Sequence, residues 1–129
     1  MYDSDTTTEG IRVAVRASYL PERSRPEVGH YFFIYTVRIT NMGEAPAKLV
    51  SRHWTIRDAG GRTEEVRGPG VVGKSPRLAP GQGFEYTSFC PLPTPIGSME
   101  GTYRMIRDDG SSFDAVVDRF ELSEPLAYS

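Results

Sequence analysis

Hydrophobic and polar residues alternate along most of this chain with a period of two, the spacing that sends successive side chains to opposite faces of a strand. Ile11, Val13, Val15, Ala17 and Tyr19 fall on one side and Arg12, Arg16 and Ser18 on the other, which predicts a strand with one buried face. Between Tyr31 and Thr40 the residues are mostly β-branched or aromatic. Tyr31, Phe33, Tyr35, Val37 and Ile39 share a face, and Phe32 and Ile34 make the first half apolar on both faces, so a central strand is predicted. Residues 41–46 turn the chain, Ala47 to Arg57 returns it with Leu49, Val50, Trp54 and Ile56, and residues 59–62 make a hairpin turn. Further strands are predicted at Thr63 to Arg67, Phe84 to Phe89, Met99 to Arg107 and Phe113 to Leu122. They are separated by breaks at residues 77–83 and 91–97 and a turn at residues 108–112.

About seven short antiparallel strands with closely spaced turns predict an all-β chain, a sandwich or a small barrel. Thirteen Gly and ten Pro supply the breaks. The 129 residues suffice for one domain with a real core and leave no room for two. That domain is placed at residues 9–125, with flexible tails at residues 1–8 and 126–129 and fraying expected from Ser123 onward. Fifteen basic residues against seventeen acidic ones give a net charge of -2 with no basic run, so neither nucleic acid nor a membrane surface is an expected partner. One cysteine, Cys90, allows no intrachain disulfide, and the start Met1-Tyr2-Asp3 carries no apolar leader. A cytoplasmic setting is expected.

The stretch Arg67 to Pro76, RGPGVVGKSP, matches two phosphate-binding patterns. Gly68 to Ser75 satisfies G-x-x-x-x-G-K-[ST], and Gly68, Gly70 and Gly73 satisfy G-x-G-x-x-G. Both patterns work by delivering the phosphate to the N-terminus of a helix. Here Lys74 and Ser75 run into Pro76, with Pro80, Gly81 and Gly83 close behind, and such a segment opposes a helix by several kcal/mol. Gly68, Gly70, Gly73, Lys74 and Ser75 are therefore expected to form a structural loop joining two strands, with Val71 and Val72 turned inward. Nucleotide or diadenosine-polyphosphate binding at this loop is the alternative.

No other chemistry assembles. His30 and His53 lie far apart without ligand spacing, so no metal site is expected, and direct Co²⁺ or Mg²⁺ binding is a further alternative. Asp108-Asp109-Gly110 has the signature of a hairpin turn rather than a cation loop. Glu64 and Glu65 are adjacent on a strand and face opposite ways. No G-x-S-x-G elbow is present, and Cys90 between Phe89 and Pro91 is expected to be a structural thiol. No catalytic residue and no cofactor is expected, and the chain is not expected to be an enzyme.

The segments YFFIYTVRITNMG, RHWTIRD, GPGVVGKSPRLAPGQGFEYTS, TPIGSMEGTYRM and FELSEP, in this order between Ile11 and Pro125, resemble the ApaG family. The resemblance implies an immunoglobulin-like or fibronectin type III-like β-sandwich. It also implies that the glycines and Pro76 belong to a family pattern G-x-G-V-V-G-x-x-P in which Lys74 holds a variable place. Phe89-Cys90 departs from the family, which tends to carry Gly there, and Asp118-Arg119 stands where Pro is common. Members have been linked to cobalt tolerance and magnesium efflux, and related domains in larger proteins act as protein-binding modules. The expectation is a non-catalytic domain that binds an unidentified protein partner or a second copy of itself through a sheet face or edge strand. Tyr19, Tyr31 and Tyr128 are candidate anchors.

Overall fold

Alternation along the chain becomes two antiparallel sheets. In the computed structural model, which describes residues 1–125, the strands are β1 (Ser4–Thr8), β2 (Ile11–Tyr19), β3 (Tyr31–Asn41), β4 (Ala47–Asp58), β5 (Thr63–Pro69), β6 (Arg77–Leu78), β7 (Gly83–Leu92), β8 (Ile96–Arg107) and β9 (Ser112–Ser123). One sheet has the order β1-β2-β3-β7, and the other has the order β5-β4-β8-β9 with β6 beside β4. The inward rows of the two sheets pack as the layers of a β-sandwich. Ile11, Val13, Val15, Phe33, Val37 and Ile39 from the first sheet meet Leu49, Trp54, Met105, Val117 and Phe120 from the second.

Several boundaries differ from the pattern read along the chain. Residues 4–8, expected as part of a flexible tail, form β1: Ser4 to Thr8 pair with Val15 to Ile11, and Asp5 takes a two-pronged ion pair from Arg12 at 2.6 and 2.8 Å. The three threonines of β1 favour a strand, but the stretch is polar on both faces with no apolar alternation, and the partner strand supplies the order. Ser123 ends β9 instead of fraying, and the next amide, Glu124 N–H, donates to the Pro95 carbonyl at 2.8 Å. The expected tail at residues 126–129 lies outside the described residues. Pro91 and Leu92, expected in a link, belong to β7. An edge strand accommodates proline because one side of it has no ladder to lose.

The two sheets touch along one long side. Ser4 Oγ donates to the Asp118 carbonyl at 2.8 Å and Val116 N–H donates to Thr8 Oγ1 at 3.1 Å, tying β1 to β9. β7 and β5 are the edges on the other side.

Trp54 occupies the middle of the core. Its ring meets Tyr103 and Phe120 edge-on with centroids 6.0 Å apart and Tyr35 at 5.5 Å, the tilted geometry favoured by ring quadrupoles. Gly101 faces Trp54 across the ladder. A Cβ there would lie 2.1 Å from the His53 carbonyl oxygen, so only glycine permits this approach. Beside the indole, the hydroxyls of Tyr86 and Tyr103 hydrogen-bond to each other inside the core. Burial pushes Tyr35, Tyr86 and Tyr103 above the ordinary tyrosine range, because a phenolate there would lose its hydration.

Tyr103→Phe leaves the Tyr86 hydroxyl without its partner and is expected to cost about 1–3 kcal/mol in urea unfolding. Adding Tyr86→Phe should cost less than the sum of the two single changes. The native core holds these phenols protonated to higher pH than the unfolded chain does, so ionisation of the unfolded chain favours unfolding. Their contribution is intact below about pH 10, the ordinary tyrosine value, and stability falls as pH rises beyond it. Tyr86→Phe should flatten that alkaline decline.

Candidate functional site

The glycine stretch folds as a hairpin tip anchored to the neighbouring strand. Gly68 lies within β5 opposite Arg52, and a Cβ on it would stand 3.0 Å from the Arg52 guanidinium. That space lets Arg52 Nη1 donate to the carbonyls of Pro69 and Gly70, each at 3.0 Å. Gly70 has φ +58 and donates its N–H to the Val50 carbonyl at 3.0 Å. Val71 and Lys74 exchange two backbone hydrogen bonds at 2.8 and 2.9 Å across Val72 and Gly73. With φ of 44° and 78° these two residues form a tight turn of the type that needs positive φ at both central positions.

This geometry places the five residues of the sequence pattern. Gly68, Gly70, Gly73, Lys74 and Ser75 share one hairpin, but the amides of Gly70, Val71 and Lys74 already donate to carbonyls. After Ser75 the chain enters β6 rather than a helix, and Leu49 N–H binds the Pro76 carbonyl at 3.0 Å. Val71 is buried as expected. Val72 is not turned inward: it is 54% exposed, because the central residue of so tight a turn must project outward.

The remaining candidates are dispersed. Nε2 of His53 stands 2.8 Å from Glu65 Oε1 on the outer face of the second sheet, and Arg67 approaches the same carboxylate at 3.4 Å. His30 lies on the loop before β3. Arg77 grips Asp108 at 2.5 and 3.1 Å, and Asp109 accepts from the amide and hydroxyl of Ser111. Among the described residues no three His, Cys, Asp or Glu side chains converge as a metal site would require. Cys90 is buried and its thiol is pushed up to about 12, first by burial and then by Glu64, so it stays a thiol at neutral pH.

A second region received no weight from the sequence. On the outer face of β3 and β7, Phe32 and Phe89 lie 5.5 Å apart between centroids. The guanidinium of Arg23 covers both rings at 5.3 and 5.5 Å, and Phe89 remains 47% exposed. Beside this stack a cleft of about 460 Å³ opens between the loop carrying Arg23, Arg25 and His30 and the end of β7 at Pro91 and Leu92. The clue in the sequence was the double-sided apolar start of β3. Phe33 and Tyr35 fill the core, so Phe32 and Ile34 must face outward. Of the tyrosines offered as anchors, Tyr19 and Tyr31 pack against the core, and Tyr128 lies outside the described residues.

Two antiparallel sheets, a glycine hairpin tied down by an arginine and an aromatic outer face define a small β-sandwich domain. The chain belongs to the ApaG family: residues 21–107 match the family model described as ApaG domain. It is 61% identical over 122 residues to Protein ApaG of Anaeromyxobacter dehalogenans strain 2CP-C, covering 95% of this chain and 96% of the relative. It is 50% identical to Protein ApaG of Bdellovibrio bacteriovorus, again over 95% and 96%. The crystal structure of the ApaA protein from Bordetella pertussis superposes with a TM-score of 0.87 at 53% identity, covering 89% of this chain and 94% of that one.

Gly70→Ala would place a Cβ 2.2 Å from the Lys74 carbonyl oxygen in a left-handed conformation, and is expected to destabilise the fold by about 2 kcal/mol or more. Lys74→Ala, on the exposed tip, should stay within about 0.5 kcal/mol of the parent. Urea unfolding of the two variants side by side checks both values.

Proposed function

We propose that this ApaG protein is a non-catalytic interaction module that holds a partner protein on the outer face of β3 and β7. The observation that carries this reading is the stack of Arg23, Phe32 and Phe89 beside the edge strand β7. Aromatic rings under an arginine are the residue types that dominate binding energy at interfaces, and here they stand half in water on a rigid strand pair. The partner is an unidentified protein, and a second copy of the chain meets the same description. We place the protein in the cytoplasm, consistent with a single buried thiol and no disulfide.

We assign any influence on cobalt tolerance or magnesium efflux to the partner rather than to metal held by this chain. Asp5, Glu85, Glu100, Asp108 and Asp114 are each already paired with an arginine. Phosphate binding at Gly68 to Ser75 draws no support from the hairpin, in which the amides of Gly70, Val71 and Lys74 already donate to carbonyls.

Tagged protein expressed in its native cells, compared with Phe89→Asp, tests the reading by affinity capture and native mass measurement. A partner or second copy should accompany the parent protein and be lost from the variant, with both folded by circular dichroism. A parent protein that stays monomeric and retains no partner would remove the proposal.

A further inference from the structure

Several arginines of this surface are already engaged. Arg12, Arg38, Arg57, Arg77 and Arg104 each hold a carboxylate, and Arg52 and Arg107 hold backbone carbonyls. Arg23, Arg25 and His30 do neither through their side chains. No ion pair among the described residues involves them, although Glu22 and Glu27 lie on the same loop. All three line the cleft at the end of β7, whose remaining walls come largely from Tyr31, Phe32, Leu92 and the flanking prolines. Two arginines without counter-ions, with the His30 ring beside them, therefore border a mainly apolar hollow.

That combination fixes the chemistry of an occupant. A small inorganic anion would satisfy the arginines and leave the apolar walls in water, whereas an uncharged apolar side chain would do the reverse. Charge complementarity and apolar burial are met together by a chain segment with an aromatic or aliphatic side chain flanked by carboxylates. Pro91 and Pro93 on the rim carry no N–H, so this end of β7 is poorly suited to adding a strand through a backbone ladder, and recognition falls to side chains. The cleft volume of about 460 Å³ suits a large side chain and its neighbours.

We propose that the cleft between the Arg23–His30 loop and the end of β7 binds an acidic segment of the partner protein, anchored by one large apolar side chain. This rests on the interaction-module reading and goes further by naming the class of segment recognised.

The test is selection of a displayed random-peptide library on the full-length protein at low salt, followed by fluorescence anisotropy with the enriched peptide made synthetically. Enriched sequences should carry Asp or Glu beside an aromatic residue or Leu. Binding should weaken at least about tenfold in Arg23→Glu/Arg25→Glu, and by a similar factor when the peptide's acids are changed to amides. Both arginines are exposed on a loop, so unchanged circular dichroism and melting should show that the variant is folded. Arg25→Gln, with a smaller loss in the same direction, serves as a milder second variant. Absence of enrichment, enrichment of peptides lacking acids, or binding indifferent to the charge reversal would overturn the assignment. Inorganic phosphate alone giving the same arginine-dependent amide shifts at comparable affinity would also overturn it, in favour of a small-anion site. Peptides lost in Phe89→Asp but retained by the charge reversal would leave the interaction module standing and remove only the cleft.

Discussion

The contact of the Trp54 indole with Tyr35 from the opposite sheet and with Tyr103 and Phe120 from its own is the constraint around which the domain is arranged. A large rigid ring between two sheets leaves few relative positions at which both can pack to interior density. Its immediate consequences are visible in the backbone. Gly101, opposite Trp54 in the ladder, leaves out a Cβ that would strike the His53 carbonyl. Register shifts lie on either side of that crossing, between Leu49 and Ser51 in β4 and between Met99 and Gly101 in β8. Such irregularities bend and twist strands, so that both ends of a long strand follow the curved core.

The same packing forces a polar problem and its solution. Tyr35, Tyr86 and Tyr103 bring hydroxyls into the interior, where an unpaired one is costly. The Tyr86 and Tyr103 hydroxyls satisfy each other. Arg52, two residues before Trp54 on the same strand, reaches past Gly68 to hold the carbonyls of Pro69 and Gly70. The glycine hairpin is thus tied to β4, with the Gly70 amide on the Val50 carbonyl and the Val71 and Lys74 amides on each other's carbonyls.

The outer faces then differ in a way that the inner faces do not require. On the second sheet, outward charges such as Arg104 with Asp114 and Arg57 with Glu100 sit in opposite-sign pairs, each of little net strength in water. On the first sheet, near β7, aromatic rings and unpaired arginines share a surface.

Much of the architecture was legible in the sequence because strand alternation, glycine and proline turns and β-branched runs act locally. The buried row of β3, the reversal after Asn41, the turn at Asp108 to Gly110 and the burial of Cys90 all follow from residues within a few positions of one another. The prolines after Ser75 likewise showed that no helix follows the glycine pattern. What the sequence could not determine depended on partners distant along the chain. Ser4 to Thr8 are ordered only by β2 and β9, Val72 faces outward because a two-residue turn leaves it no alternative, and Pro91 joins a strand because that strand lies at an edge. The aromatic cleft belongs to the same group. Arg23, Phe32, Phe89 and Leu92 come from three separate segments, and only the pairing of β3 with β7 brings them onto one surface, since alternation specifies which residues share a face but not which strands become neighbours.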